Sequence, residues 1–255
     1  MTSISPAKPV KIRFWAVAFW LLLWQAASMV IDQQLILVSP VRVLLRLAEL
    51  AVTGEFWKSV YNTLIRITLG FLLGAGSGIL LAALSARFQA VKELLAPVML
   101  AVKAVPVASF IILALILFSS KNLAVFIAFL MVLPVVYSNI LEGIRSADRE
   151  ILEMAKVFEI PFGRKLRYLY IPQVFPYFRS ACDSGIGMSW KSGVAAEVIG
   201  IPAMSIGENL YNAKVYFDTP DLLSWTLVIV LASLGFERLF GLLLKKLETY
   251  TERMA

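Results

Sequence analysis

The sequence predicts an all-α membrane protein, a bundle of six transmembrane helices with one charged loop on the cytoplasmic side. Three observations predict it. Of the 255 residues, 60% are hydrophobic and 16% charged, with mean hydropathy +0.80, where a soluble domain carries about half apolar and a quarter charged residues. The apolar residues gather into runs near the roughly 20 residues that cross a bilayer as a helix. The longest charged interval, 142–172, stands between those runs. The chain 1–255 reads as a single transmembrane domain, with no convincing internal repeat and no low-complexity linker.

In chain order, residues 1–13 are a polar tail with Lys8, Lys11 and Arg13. The run 14–31 is long enough to span, and no small-residue cleavage site follows it, so it reads as a first span that is retained. Residues 32–58 are amphipathic: Val41, Leu44, Leu45, Ala48 and Val52 share a face that excludes Arg42, Arg46 and Glu49, as in a helix lying in the interface. The second span is expected over about 60–84. Gly70, Gly74, Gly78 and Ala82 fall four apart along it, a small-residue track that admits another backbone. Arg66 near its outer end is expected to snorkel. The third span, about 94–118, contains Pro97, Lys103 and Pro106; the fourth, about 122–141, contains Pro134. Proline is tolerated in a span where neighbours satisfy the freed backbone group. The fifth, about 177–199, is the least apolar and holds Asp183, Lys191 and Glu197. Residues 200–221 read as a loop, and the sixth span covers about 222–244.

The interval 142–172 reads as a helical hairpin. Ile151, Met154, Ala155 and Phe158 recur at helical spacing. Ser146 is the expected cap of the first helix. Pro161-Phe162-Gly163 is its expected break, and Pro172 the expected end of a second helix built on Phe162, Leu166 and Leu169. Lys/Arg bias orients the bundle. With the amino terminus inside, the inner segments hold Lys8, Lys11, Arg13, Arg87, Lys92, Arg145, Arg149, Lys156, Arg164, Lys165, Arg167, Lys245, Lys246 and Arg253. The outer segments hold only Arg42, Arg46, Lys58, Lys121 and Lys214. Both termini and the hairpin are therefore expected in the cytoplasm.

Chemistry is sparse. The net charge of +7 is spread over loops rather than along one soluble face, which speaks against nucleic acid. There is no histidine, and one cysteine, Cys182, cannot build a disulfide scaffold or a cysteine-based metal site. No G-x-x-x-x-G-K-[ST] phosphate loop occurs, so the chain has no ATP-binding motif of that kind, and nothing in it argues for an enzyme. Ionisable groups inside spans are expensive and mark functional candidates. Lys191, beside Ser189 and one turn from Met188, either faces a polar pathway and attracts an anion, or pairs with Asp183 or Glu197, or snorkels. Lys103, nearer the cytoplasmic side, either faces the pathway or snorkels. Glu197 either lines the pathway or ties the fifth span to its neighbours.

Glu153-x-Ala155, with Ile171-Pro172 ending nineteen positions after the glutamate, resembles the E-A-A coupling loop of ABC-importer permeases. Met154 replaces the first alanine and Glu159 stands at the usual glycine, with Gly163 four residues later. Asn62-Thr63-Leu64-x-Arg66, Ala104-Val105-Pro106 and Ala196-Glu197-Val198-Ile199-Gly200 resemble the sulfonate/nitrate/taurine branch, over roughly residues 55–245. The resemblance implies a permease bundle in the inner membrane whose hairpin couples to an ATPase through Glu153, Ala155, Phe158, Glu159, Phe162, Gly163, Arg164 and Pro172. It implies a translocation pathway lined from Lys103, Pro106, Met188, Ser189, Lys191 and Glu197. It also implies partners: two cytoplasmic ATP-binding-cassette subunits, a second permease copy, an extracytoplasmic solute-binding protein and the surrounding lipid. ATP and Mg²⁺ would sit on the ATPase, with no cofactor on this chain, and the solute would be small, often a sulfonate, nitrate or taurine. An ATP-independent secondary transporter and a membrane scaffold remain the alternatives. The first more often shows inverted repeats, and the polar fifth span argues against the second.

Overall fold

A computed structural model describes residues 13–31 and 37–252, all in helices and short connections. Lys8, Lys11 and Arg253, counted above for orientation, lie outside the described residues. The helices are α1 (Phe14–Ile31), α2 (Pro40–Ala51), α3 (Gly54–Arg87), α4 (Gln89–Ala104), α5 (Val107–Leu117), α6 (Ser120–Arg145), α7 (Arg149–Val157), α8 (Phe162–Lys165), α9 (Ile171–Gly200), α10 (Ile206–Val215) and α11 (Thr219–Glu252), with a π-turn at Leu166–Tyr170 joining α8 to α9. Ser39, Thr53 and Ser205 cap α2, α3 and α10 through their side-chain oxygens.

The core is the pair α3–α6, made by the small-residue track. A Cβ at Gly70 would lie 2.5 Å from the Val125 carbonyl oxygen; at Gly74, 2.8 Å from Val132 Cβ; at Gly78, 2.9 Å from Val136 Cβ. The residue numbers rise together, so α3 and α6 are parallel, and Tyr137 Oη donating to Ser85 Oγ at 3.1 Å extends the same register. Two parallel spans require a return crossing between them. It is made by α4 and α5, which are bent by 108° at their junction. The single third span expected from sequence is therefore broken. Pro106 has no N–H to continue the helix and disfavours helical backbone at Val105, which is extended at ψ 133°.

The fifth span is α9, which runs against α3 and α6: Thr63 meets Glu197, and a Cβ at Gly193 would meet Ile67 at 2.8 Å. The last, α11, is parallel to α3, with Phe56 stacked near Trp225 at 5.1 Å and Phe71 against Phe240 at 5.1 Å. Its far end is tied to α9 by an Arg179–Glu248 ion pair. Among the described residues, α1, α3, α6 and Thr219–Thr249 of α11 are apolar and long enough to cross by composition, and the broken pair makes a fifth. The charges of α9 exclude it on composition, but its antiparallel place between α3, α6 and α11 requires it to cross.

Other expectations are corrected. Residues 200–221 are not a plain loop, because α10 packs there against α9 and α11. Pro172 does not end a helix; it lies in the first turn of α9, where a missing N–H is tolerated, and the π-turn before it closes with Ile171 N–H donating to the Leu166 carbonyl. Arg66 does not snorkel but pairs with Glu197. In α2, Arg46 bonds both Asp221 and Glu49, pinning that helix to the start of α11. Those two carboxylates, Asp221 first, raise the Arg46 guanidinium above its ordinary range.

The α3–α6 contact yields a direct test. Gly74→Leu should cost about 1–3 kcal/mol by overpacking, read as a lower aggregation temperature of the detergent-purified chain. Gly76→Leu should be near neutral, since a Cβ there meets nothing within 4 Å. Equal melting of the two variants would refute the packing argument.

Candidate functional site

Three groups of residues carry the candidate chemistry, and α9 links them. One face of α9 is packed: Ala181, Cys182, Gly185, Ile186, Ser189, Trp190, Gly193, Ala196 and Glu197 are buried. The opposite face carries Ser180, Asp183, Ser184, Gly187, Met188 and Lys191, all exposed and three or four residues apart, hence one continuous stripe. On a span, such a stripe puts two charges and two hydroxyls where lipid-facing helices carry apolar groups. Lys191 and Asp183 form none of the ion pairs found among the described residues. The alternative that Lys191 pairs with Asp183 or Glu197 inside the chain is thereby removed.

Two expected pathway residues lie elsewhere. Ser189 faces the core and donates to the Ile186 carbonyl at 2.8 Å, so it is absent from the stripe. Glu197 is completely buried and forms the centre of a network at the end of the bundle opposite the hairpin. Its Oε2 accepts from Thr63 Oγ1 at 2.7 Å and Gly207 N at 3.3 Å, and its Oε1 from Arg66 Nη1 at 3.1 Å. Thr63 Oγ1 in turn accepts from Ile206 N at 3.0 Å, and Asn62 Nδ2 donates to the Met204 carbonyl at 3.0 Å. A buried carboxylate is tolerable only with a cation and hydrogen bonds around it, and here α3, α9 and α10 each supply part of that shell. Gly207 is obligatory, because a Cβ there would sit 2.3 Å from Glu197 Cβ. The sequence displayed Asn62-Thr63-x-x-Arg66 and Glu197 separately; the signal for joining them was a carboxylate and a guanidinium in two apolar runs.

Lys103, in the last turn of α4, donates from Nζ to Ser138 Oγ at 2.7 Å on the hairpin half of α6. Pro106 forms the α4–α5 break, and both residues are exposed.

The hairpin starts with Asp148, not Ser146. The Asp148 carboxylate accepts from Glu150 N at 2.9 Å and Ile151 N at 3.4 Å, whereas Ser146 Oγ turns back to the Gly143 carbonyl. Asp148 N donates to Gln173 Oε1 at 2.8 Å, tying the first arm to the second. The break is at Glu159, not Gly163. Glu159 has φ 48°, with Ile160 N donating to the Ala155 carbonyl at 3.0 Å and Glu159 N to the Lys156 carbonyl at 3.1 Å. That pair of bonds is a Schellman closure with glutamate at the position glycine usually takes. Gly163 lies inside α8. Ala155 is fully buried, while Glu153, Met154, Val157, Phe158, Phe162 and Arg164 are exposed, Phe158 to 72%. The hairpin thus presents apolar and charged side chains together, away from its own core. No three Cys, Asp or Glu side chains among the described residues gather closely enough to hold a metal ion.

The profile of the family described as binding-protein-dependent transport system inner membrane component matches residues 74–249. A permease named for aliphatic sulfonates transport in Bacillus subtilis is 26% identical over 202 residues, 78% of this chain and 72% of its own. The riboflavin transport system permease protein of Chloroflexus aurantiacus is 27% identical over 225 residues, 88% of this chain and 84% of its own. The bicarbonate transport system permease protein of Synechococcus elongatus is 24% identical over 161 residues, 63% and 58%. A chain of an amino acid ABC transporter crystallised with histidines superposes with TM-score 0.61 at 19% identity, over 80% of this chain and 97% of that one; the two share a fold.

Removing Glu197 tests the network. Glu197→Met leaves Arg66, Thr63 and Gly207 N without their acceptor, and breaking a buried pair from one side costs about 3–5 kcal/mol. In a thermal-stability double-mutant cycle, Arg66→Met with Glu197→Met should be less destabilised than the sum of the singles. Strict additivity would show that the two side chains do not interact.

Proposed function

Because the chain belongs to the family of binding-protein-dependent transport system inner membrane components, we propose that it is the permease subunit of an ABC importer for a small anionic solute. The observation that carries this reading is the exposed polar stripe on α9. A span cannot present Asp183, Ser184 and Lys191 to hydrocarbon without a large penalty, about 2.5–3.5 kcal/mol for a mid-span lysine. The stripe needs water or another polar surface. A second copy related by a two-fold axis along the membrane normal would set one stripe against the other and enclose a route between them. The lysine at position 191 would then stand on both walls, where an anion between them relieves the repulsion of like charges. Relatives named for sulfonates and bicarbonate support an anion; the riboflavin relative supports room for larger solutes as well.

The hairpin is the docking site for an ATPase that supplies the energy, with ATP and Mg²⁺ held by that partner. The exposed Met154, Val157 and Phe158 offer apolar anchors, and Glu153 and Arg164 a charged rim. The Lys/Arg bias supports a cytoplasmic side for this hairpin and both termini. The opposite end, built from α2, α10 and the Glu197 network, faces the solute-binding protein. Closure of the ATPases moves the bundle between inward- and outward-open states by binding one more tightly than the other.

Two variants in proteoliposomes containing the ATPase and binding protein test the proposal. Lys191→Met should assemble with its ATPase and lose at least about tenfold of anion uptake. Glu153→Lys should insert in the membrane but lose ATPase binding or the coupling of hydrolysis to uptake. Wild-type uptake in Lys191→Met would refute the pathway assignment. Uptake without any ATPase would show a secondary transporter instead, and a normal complex that transports nothing would show a scaffold.

A further inference from the structure

We propose that the groove between the hairpin end of α3 and the start of α9 is a binding site for an anionic phospholipid of the surrounding bilayer. The groove has a volume of about 630 Å³ and is lined by the last turns of α3, by Ile140 and Ile144 of α6, and by Phe162, Tyr170 and Phe175 on the far side. Its wall on α3 runs from Ile79 through Ala83 to Arg87. Eight residues of helix are about 12 Å of depth, so the groove extends well into the span from the end of α3.

The chemistry is graded along that depth. The deep part is aliphatic and aromatic. Arg87 at the mouth is the charged residue of the lining, and no acidic side chain lines it. Arg87 takes part in none of the ion pairs among the described residues; its guanidinium lies 5.4 Å from the centre of the exposed Phe88 ring, which leaves its hydrogen-bond donors available. An apolar slot that deepens into the membrane, with a cation at the water boundary, matches an acyl chain below an anionic headgroup. A soluble domain docked on the hairpin cannot reach Ile79 or Ala83, and a hydrophilic solute finds almost nothing to bond along the walls.

The groove also adjoins the element that moves with an ATPase. Phe162 and Leu166 belong to the second arm of the hairpin, and Ile79 and Ala83 to the core helix. A chain filling the space between them would join the two mechanically, in a manner that headgroup charge controls.

The test uses the intact importer, delipidated and then given phosphatidylglycerol or phosphatidylcholine in equal amounts, with bound lipid counted by native mass spectrometry. The wild type should retain about fivefold more phosphatidylglycerol. Arg87→Gln should erase that preference, and Ala83→Trp, which fills the slot, should lose both lipids while the same spectrum reports an assembled complex. Ile79→Phe obstructs the slot from the same wall and is read in the same way if Ala83→Trp does not assemble. Equal retention of the two lipids by the wild type would overturn the proposal. So would unchanged retention in both filled variants, or lipid found only on the chain freed of its ATPase, which would assign the groove to protein docking.

Discussion

The close approach of α3 and α6 sets the rest of the bundle. Gly70, Gly74 and Gly78 bring the two backbones within the distance that a methyl group would occupy. Lipid tails are as apolar as leucine, so burial alone does not hold helices together in a bilayer; tight packing does. Because the contact is parallel in register, it dictates what the intervening chain must do. Residues 88–119 have to return across the membrane, and they do so as two helices broken at Pro106. It likewise leaves α9 an antiparallel slot against both helices, with its small residues Gly185 and Gly193 turned to Val132 and Ile67.

That slot explains why α9 tolerates charge on both of its faces for different reasons. On the packed face, Glu197 is compensated by Arg66, Thr63 and the Gly207 N–H. Such a network adds little net stability over an apolar core, but it is specific, since loss of one member leaves the others stranded. It fixes α10 on the end of the bundle and makes that end rigid. On the other face Asp183 and Lys191 form no ion pair among the described residues. The contrast is between a carboxylate satisfied inside the bundle and two exposed charges of opposite sign on the other face of the same helix.

Much of this was legible in the sequence. Runs of apolar residues located the spans, and the glycine track named the packed face of α3 before its partner was known. The amphipathic helix α2 followed from its sided arginines. What escaped were features decided by contacts or by single dihedrals. In residues 200–221 the only local sign of α10 was the short pattern Ser205-x-x-Glu208 at its start, while its Gly207 is required by Glu197 of another helix. The composition of α9 argued for a less apolar span but could not say which hydroxyl faced inward, and Ser189 turned to the core while Ser180 and Ser184 did not. The break at Glu159 was hidden because glutamate rarely adopts a left-handed conformation; Gly163, the better local candidate, sits one turn too late to close α7. Pro106 was visible, but a bend of 108° depends on where α5 must go to reach α6.

The shared direction of α3, α6 and α11 has an electrostatic consequence. Each peptide unit contributes a dipole along its helix, and aligned units leave about half a negative charge at a carboxyl terminus. Three long helices point that terminus to the hairpin end, while α9 and the broken pair α4–α5 run the other way and offset the field only in part. Arg87 and Arg145, the last residues of α3 and α6, sit where this field is strongest. The cations that bias the chain's orientation in the membrane therefore also neutralise the ends of its helices, and removing either one weakens both effects together.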